Sequence, residues 1–309
     1  MHTVPDSATH GTWYPAPHEL LARPLWNGLA IDPPNPHEID DAITVERISK
    51  KAFHVAIHVA DGGLLLGTPY VDMARNEGWS RYHSTYGTAP MLPDVITKQT
   101  LGLDAPSPHG APAVTIEFVH DKRTGIGDIA VGKSRVDVTG ITYRQFAKRH
   151  AKFENNARRI EHVAHFIHPA GYQDSFSSDR LGEETVMQYM VAANFIIARE
   201  MERQGLPWLF RNHTEGAYSR WGNEEERQKL QQLRTALYGS VALRHEGLGI
   251  EQYCHFTSPL RRFADLANHL TLHAYMNGLA LPFSEADIDQ IASELTAKYI
   301  ERSINFRNM

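Results

Sequence analysis

The chain has 309 residues, 42% apolar and 22% charged, a formal net charge of −5 and a single cysteine, Cys254. Such a composition builds a globular core, and one cysteine excludes an intrachain disulfide, so a reducing cytoplasmic setting is expected. No apolar run is long enough to span a membrane, the start of the chain lacks the basic and apolar regions of a signal peptide, and the net negative charge argues against a broad nonspecific clamp on nucleic acid.

Residues 1–27 hold proline, histidine and aromatic residues without periodicity and are read as an irregular arm, leaving 28–309 as the main domain. The next stretch, IDPPNPHEIDDAI from Ile31 to Ile43, gathers Asp32, Glu38, Asp40 and Asp41 on a loop stiffened by Pro33, Pro34 and Pro36. Crowded carboxylates raise one another's pKa unless a cation neutralises them, and hard oxygen donors suit Mg²⁺ or Mn²⁺. A solvated acidic turn is the competing interpretation. Ala42–Glu46 and Ala52–Ala60 alternate as half-buried strands around a turn at 47–51, which sets the acids at the mouth of a sheet. His54 and His58 share one face of the second strand, where packing or hydrogen bonding is favoured over metal ligation.

Pro69–Glu77 has a helical pattern, and Trp79–Pro93 interleaves Tyr82 and Tyr86 with Arg81, suited either to stacking on bases or to capping a core. Pro112–His120 and Ile126–Val138 read as strands of a hairpin. From Tyr143 to Phe166 the pattern turns helical and basic, with Arg144, Lys148, Arg149, Lys152, Arg158 and Arg159. That is a solvated face or a contact for a nucleic-acid backbone. His162, His165 and His168 follow at three-residue steps and are assigned to the surface rather than to a metal.

Leu181–Gln204 is a long core helix, Glu224–Leu237 a second helix with a charged face, and Glu285–Ile304 a last amphipathic one. Between them, Thr257 or Ser258 can cap a helix with Pro259 in its first turn, which brings Arg261 and Arg262 to a positive helix end and makes an anion site. Asp265 would steady Arg261 by an i,i+4 pair. Cys254 is read as a buried hydrophobe rather than a reactive thiol.

Several of these stretches, in order, resemble the catalytic (RNB) domain of the ribonuclease II/ribonuclease R family. IDPPNPHEIDDAI is similar to the family's acidic signature and HVAIHVAD to the strand after it. APMLP at Ala89–Pro93, SRVDVTGITY at Ser134–Tyr143 and AANFIIA at Ala192–Ala198 match further motifs, and CHFTSPLRRFADLANH at Cys254–His269 resembles the family's YTHFTSPIRRYADLxxH.

The resemblance implies an α+β fold, a mixed, mostly antiparallel sheet surrounded by helices with a central substrate channel. It implies Mg²⁺ or Mn²⁺ held by Asp32, Glu38, Asp40 and Asp41, with Asp40 the most critical for catalysis. It further implies stacking of Tyr82 on the 3′-terminal base, and contact of Arg261 with the scissile phosphate, Arg262 beside it on RNA. Glu38 stands where the family has aspartate, and Glu301 is a candidate for a carboxylate of the C-terminal helix. The OB-fold domains (cold-shock and S1) that flank the catalytic domain in full-length relatives are not expected here, so a stand-alone domain with a protein partner supplying RNA capture is implied. The implied activity is metal-dependent 3′→5′ exoribonuclease hydrolysis of single-stranded RNA to nucleoside 5′-monophosphates. The alternative is a diverged RNB-fold protein that binds RNA or acts on the 3′ end of tRNA.

Overall fold

A computed structural model of the chain describes residues 14–83, 87–152, 154–170, 180–214 and 235–307. The chain enters through α1 (Pro17–Leu21) and then β1 (Leu25–Asp32), β2 (Asp41–Arg47) and β3 (Ala52–Ala60). After α2 (Pro69–Glu77), the hairpin β4 (Arg81–His83) with β5 (Gly87–Ala89), and α3 (Asp94–Thr97), the long strands β6 (Ala111–Asp121) and β7 (Gly125–Thr142) complete the sheet. β1, β2, β3, β6 and β7 form a closed barrel. Its pairings are antiparallel except for β1 with β7, which run parallel from Leu25 opposite Arg135 to Asp32 opposite Thr142. The sheet is mixed and mostly antiparallel, as expected, and the parallel pair closes it.

The stretch 14–27 is not the irregular arm expected from sequence. It contains α1 and the start of β1, and Arg23 pairs with buried Asp61 at 2.8 Å; residues 1–13 of that arm lie outside the described residues. β1 escapes a search for alternation because Gly28, Leu29, Ala30 and Ile31 are buried in succession. Gly28 is required by close approach, since a Cβ there would lie 2.9 Å from the Cβ of Ala42 and 3.0 Å from Val136.

The two sets of strand side chains feed two apolar clusters. Leu29, Ile31, Ile43, Val45, Val55 and Ile57 pack with α4 (Tyr143–Ala151), α5 (Asn155–Ala164) and α6 (Leu181–Arg203). The smaller Ala30, Ala42, Ala60 and Ala113 join residues of α2, α3, α7 (Phe263–Met276) and α8 (Glu285–Arg307). His58 belongs to the smaller set and is a packing residue: its ring nitrogens lie 2.8 Å from Thr115 Oγ1 and 2.9 Å from Thr44 Oγ1, and burial pushes its pKa down to about 3, so it stays neutral.

Three helical expectations change. The basic stretch 143–166 breaks into α4 and α5, with α4 opened by a capping box of Thr142 and Gln145. Leu237 begins a strand, β9 (Leu237–Gly239), which pairs with β8 (Phe210–Asn212), and the expected helix over 224–234 lies outside the described residues. α7 starts at Phe263, several residues after the predicted cap. Among the described residues no helix is long and apolar enough to cross a membrane.

Candidate active site

Asp32 ends β1 and Asp41 begins β2, so the acidic loop between them spans one end of the barrel. Asn35 turns the loop with a φ of 53°, a conformation asparagine tolerates better than most residues. Asp40 is only 4% exposed. Its Oδ1 accepts the Leu260 N–H at 2.9 Å, and its backbone carbonyl accepts the Ala60 N–H at 2.8 Å. These bonds fix the acidic loop against β3 and against a segment 220 residues away.

The chain leading into that distant segment is held by buried polar side chains. Asn194 Oδ1 accepts the Phe256 N–H at 2.9 Å, Asn268 donates to the His255 carbonyl at 3.0 Å, and Asp265 accepts the Ser258 N–H at 2.8 Å. The residues before Pro259 are held this way and 259–261 form a turn, in which the Arg262 N–H donates to the Ser258 carbonyl at 3.1 Å; α7 starts only after Arg262, and Thr257 and Ser258 are not its cap. Arg261 is left facing the acids, its Nε 3.5 Å from Asp40 Oδ2 and its Nη2 donating to Ser258 Oγ at 2.9 Å.

Arg262 does the opposite. Its Nε and Nη2 each donate to Asp265 at 2.8 Å, a fork that replaces the expected Arg261–Asp265 pair. Asp265 is fully buried and holds Arg262 charged against the pull of burial. The Arg262 guanidinium is thereby committed to Asp265, whereas that of Arg261 faces the acids.

Burial, above all, raises the carboxylates. Asp32 is pushed up to about 6, with Asp104 and Glu38 adding to burial and Arg261 opposing it. Asp41 is pushed up to about 7 by burial and then by Asp32, against Arg261 and Arg262. Asp40 is raised well above the usual carboxylate range by burial, against Arg261 and the Leu260 N–H. Burial, with the mutual repulsion of the acids behind it, thus outweighs what Arg261 neutralises, and Asp41 in particular keeps its proton up to near neutrality.

Tyr82 in β4 is 47% exposed at the rim. Its hydroxyl donates to the Glu38 carboxylate, and its ring stacks on His37 with centroids 5.3 Å apart and planes 22° apart. Glu38 thus reaches the tyrosine as well as the electrostatic neighbourhood of Asp32 and Asp40. Tyr86 lies outside the described residues. Glu301 is exposed on α8, and His162, His165 and His168 belong to α5 and the residues after it rather than to this end of the barrel. Cys254 is buried, donates weakly to the Asn194 carbonyl at 3.4 Å, and is driven up by burial, as an inert thiol should be.

Two residues join the site unannounced by sequence. Asp104 adds charge beside Asp32, brought there because the Leu103 N–H donates to the Ile39 carbonyl at 2.9 Å. Tyr143, the first residue of α4, has its pKa pushed up to about 12 by burial and then by Asp32 and Asp41. Only a tertiary contact reveals either; the one local signal was an acid, Asp104, set between an apolar Leu103 and the turn-forming segment after it.

Among the described residues no three His, Cys, Asp or Glu side chains converge as the ligand shell of a metal would. The donors are nonetheless of the right kind: Asp32, Asp40 and Asp41 are withdrawn from water, all-oxygen, and mutually repelling, which a hard divalent cation relieves by replacing their protons.

The RNB domain family model matches residues 26–166 and 221–278, more than half of the chain and both halves of this site. The chain belongs to the RNB family. This RNB chain is 25% identical over 321 residues to an uncharacterized ribonuclease of Synechocystis sp., an alignment covering 89% of the chain and 47% of the relative. It is 24% identical over 308 residues to the chloroplastic/mitochondrial ribonuclease II of Arabidopsis thaliana, covering 86% of the chain and 38% of that protein. The chain thus spans half or less of the length of these relatives. Mycoplasma genitalium RNase R in complex with ribose-methylated single-stranded RNA has the same fold, with a TM-score of 0.75 at 18% identity over 93% of this chain and 57% of that one. Yeast Ssd1, a pseudonuclease, has it too, with a TM-score of 0.73 at 14% identity over 92% of this chain and 44% of that one.

Proposed function

We propose that this RNB domain is a metal-dependent 3′→5′ exoribonuclease that hydrolyses single-stranded RNA to nucleoside 5′-monophosphates. The observation that carries the proposal is the opposition of buried Asp40 to half-exposed Arg261 at 3.5 Å, with Asp32 and Asp41 alongside and Tyr82 at the rim. Ribonuclease names among the relatives, and the RNA in the RNase R complex, support RNA as substrate.

Asp32, Asp40 and Asp41 would hold Mg²⁺ or Mn²⁺. A bound ion of this kind acidifies a coordinated water and neutralises charge on a phosphate. Arg261, whose side chain is 41% exposed, is placed to meet the non-bridging phosphate oxygens, where negative charge grows as water adds to phosphorus. The bond to the 3′-oxygen of the preceding nucleotide breaks, leaving a 3′-hydroxyl on the shortened chain and a 5′-monophosphate as product. Tyr82, steadied by Glu38 and His37, offers a ring to the terminal base, a contact indifferent to sequence because every base has a π-face. The 2′-hydroxyl is the group by which RNA would be told from DNA.

The test is an RNA labelled at either end, incubated with Mg²⁺. Label at the 3′ end should appear at once as mononucleotide while 5′ label shortens stepwise, and Asp40→Asn should stop both. Intact RNA after incubation with the wild type would sink the proposal. A second reading, an RNA-binding protein without turnover or one confined to the 3′ end of tRNA, is motivated by Glu38, which stands where aspartate is expected and is engaged by the Tyr82 hydroxyl. Tight RNA binding insensitive to EDTA and without product, or turnover on tRNA alone, would select it.

A further inference from the structure

β2 carries the chain from Asp41 at the acidic end to Arg47 at the other, seven residues and therefore about 20 Å away. At that far end lies a cleft of about 520 Å³, within the size range of nucleotide-scale ligands. Its walls come from three separate stretches of chain: Arg47 and Lys50 in the β2–β3 hairpin, Lys122 in the β6–β7 hairpin, and Arg158, Arg159 and His162 of α5. Among the described residues no carboxylate lines it.

A basic helix face is ordinarily just solvated, but here the cations of α5 meet those of two hairpins across a concavity. The convergence is felt by His162, whose pKa is lowered by burial, then by Lys122 and, more weakly, Arg47, against Glu161. Folding has thus concentrated positive charge in one place in a chain whose net charge is −5. Phe53 forms part of the lining, and the His162 ring meets it edge-on at 5.9 Å. Nearby acids are already engaged: Glu161 lies 2.7 Å from His165 Nε2 and Glu154 3.9 Å from Arg149 Nε.

We infer that this cleft is a second RNA site, which holds the phosphate backbone of the same strand whose 3′ end enters the acidic site. The inference rests on the RNA reading of the acidic end, because a polyanion already engaged there is the partner nearest to hand for a basic cleft on the opposite pole. The site takes phosphates rather than bases: its groups are point charges and guanidinium forks, so it binds without regard to sequence and weakens as salt rises. It engages only strands long enough to pass from one pole of the barrel to the other.

The experiment compares wild type with Lys50→Glu/Arg159→Glu in EDTA, by fluorescence anisotropy of labelled RNAs of about 4 and about 30 nucleotides across a salt series. For the long RNA the double variant should raise Kd at least about 10-fold and reduce the slope of log Kd against log salt by about 1.4, some 0.7 for each lost phosphate contact. The short RNA should bind both proteins alike. Lys50→Arg/Arg159→Lys should keep the wild-type slope, which separates lost charge from damaged folding. Equal Kd and slope for the long RNA in wild type and double variant would overturn the inference. So would poly-glutamate binding to the wild type as tightly as the long RNA, which would assign the cleft to an acidic protein. If the wild type fails to hydrolyse RNA yet the double variant loses long-RNA affinity, the nuclease reading falls and the cleft stands; if hydrolysis holds and affinity is unchanged, the cleft alone falls.

Discussion

At one end of the barrel Asp32, Asp40 and Asp41 are carboxylates withdrawn from water, whereas at the other Arg47, Lys50 and Lys122 are cations standing in it. The same strand, β2, connects them. Buried charge of one sign is relieved by protons or by a cation seated among the groups, so the acidic end should answer to pH and, on the proposed function, to metal. Exposed charge is relieved by diffuse counterions, so the basic end answers to salt. A reaction centre needs the first kind of site, because low dielectric strengthens each interaction at the reacting atom.

The contrast breaks most visibly at Asp40. Asp40→Asn keeps an acceptor for the Leu260 N–H but removes the charge, and RNA turnover under saturating Mg²⁺ should fall at least about 10²-fold with little change in thermal midpoint. An equal fall from charge reversal in the basic cleft, on a short RNA, would erase the distinction between the two ends.

Within the acidic end, two neighbouring arginines sharpen it further. Arg262→Ala strands fully buried Asp265 without its partner and should cost about 3–5 kcal/mol of stability by urea unfolding. Arg261→Ala should leave stability nearly unchanged and lower kcat by about 10²-fold, since the Arg261 side chain is 41% exposed and its buried neighbour Asp40, raised well above the usual carboxylate range, can take up a proton instead of being stranded as a charge. Next in size, Tyr82→Ala should weaken single-stranded RNA binding to the metal-free protein by about 1–3 kcal/mol, read as a rise in Kd.

The smallest effect is on stability against pH. Asp32 and Asp41 have folded pKa values of about 6 and about 7, above their ordinary 3.8, so the folded state binds their protons more tightly than the unfolded chain does. Their stabilising contribution is complete below the ordinary value and is lost as pH rises through about 6 and 7. The thermal midpoint of the metal-free protein should drop over that interval, Mg²⁺ should restore it more at high pH than at low, and Asp41→Asn should flatten the profile. A midpoint rising with pH over the same range would contradict the assignment.

How far the sequence could be read depended on how local each signal was. β2 and β3 announce themselves by alternation, and α2 and α6 by helical periodicity, because each pattern is set by residues a few positions apart. β1 did not, since it is buried on both faces and carries Gly28, and the closure of the barrel through its parallel pairing with β7 joins residues more than a hundred positions apart. The same limit governs the site. Asp40, Arg261 and Tyr82 were legible as chemical types in motifs. The partner of Asp265 was misassigned to Arg261 because residues 259–261 form a turn and α7 starts only after Arg262, which turns the fork of Arg262 onto Asp265. Asp104 and Tyr143 reach the acids only through tertiary contacts.

The most direct test of the central claim, that the acidic end is a cation site kept protonated until it is filled, is Mg²⁺ titrated into the metal-free protein at about pH 6.5 with proton release followed by calorimetry in buffers of different ionisation enthalpy. Binding accompanied by proton release, diminished in Asp41→Asn, is the predicted result. Mg²⁺ binding with no proton release, or no binding at all, would contradict it.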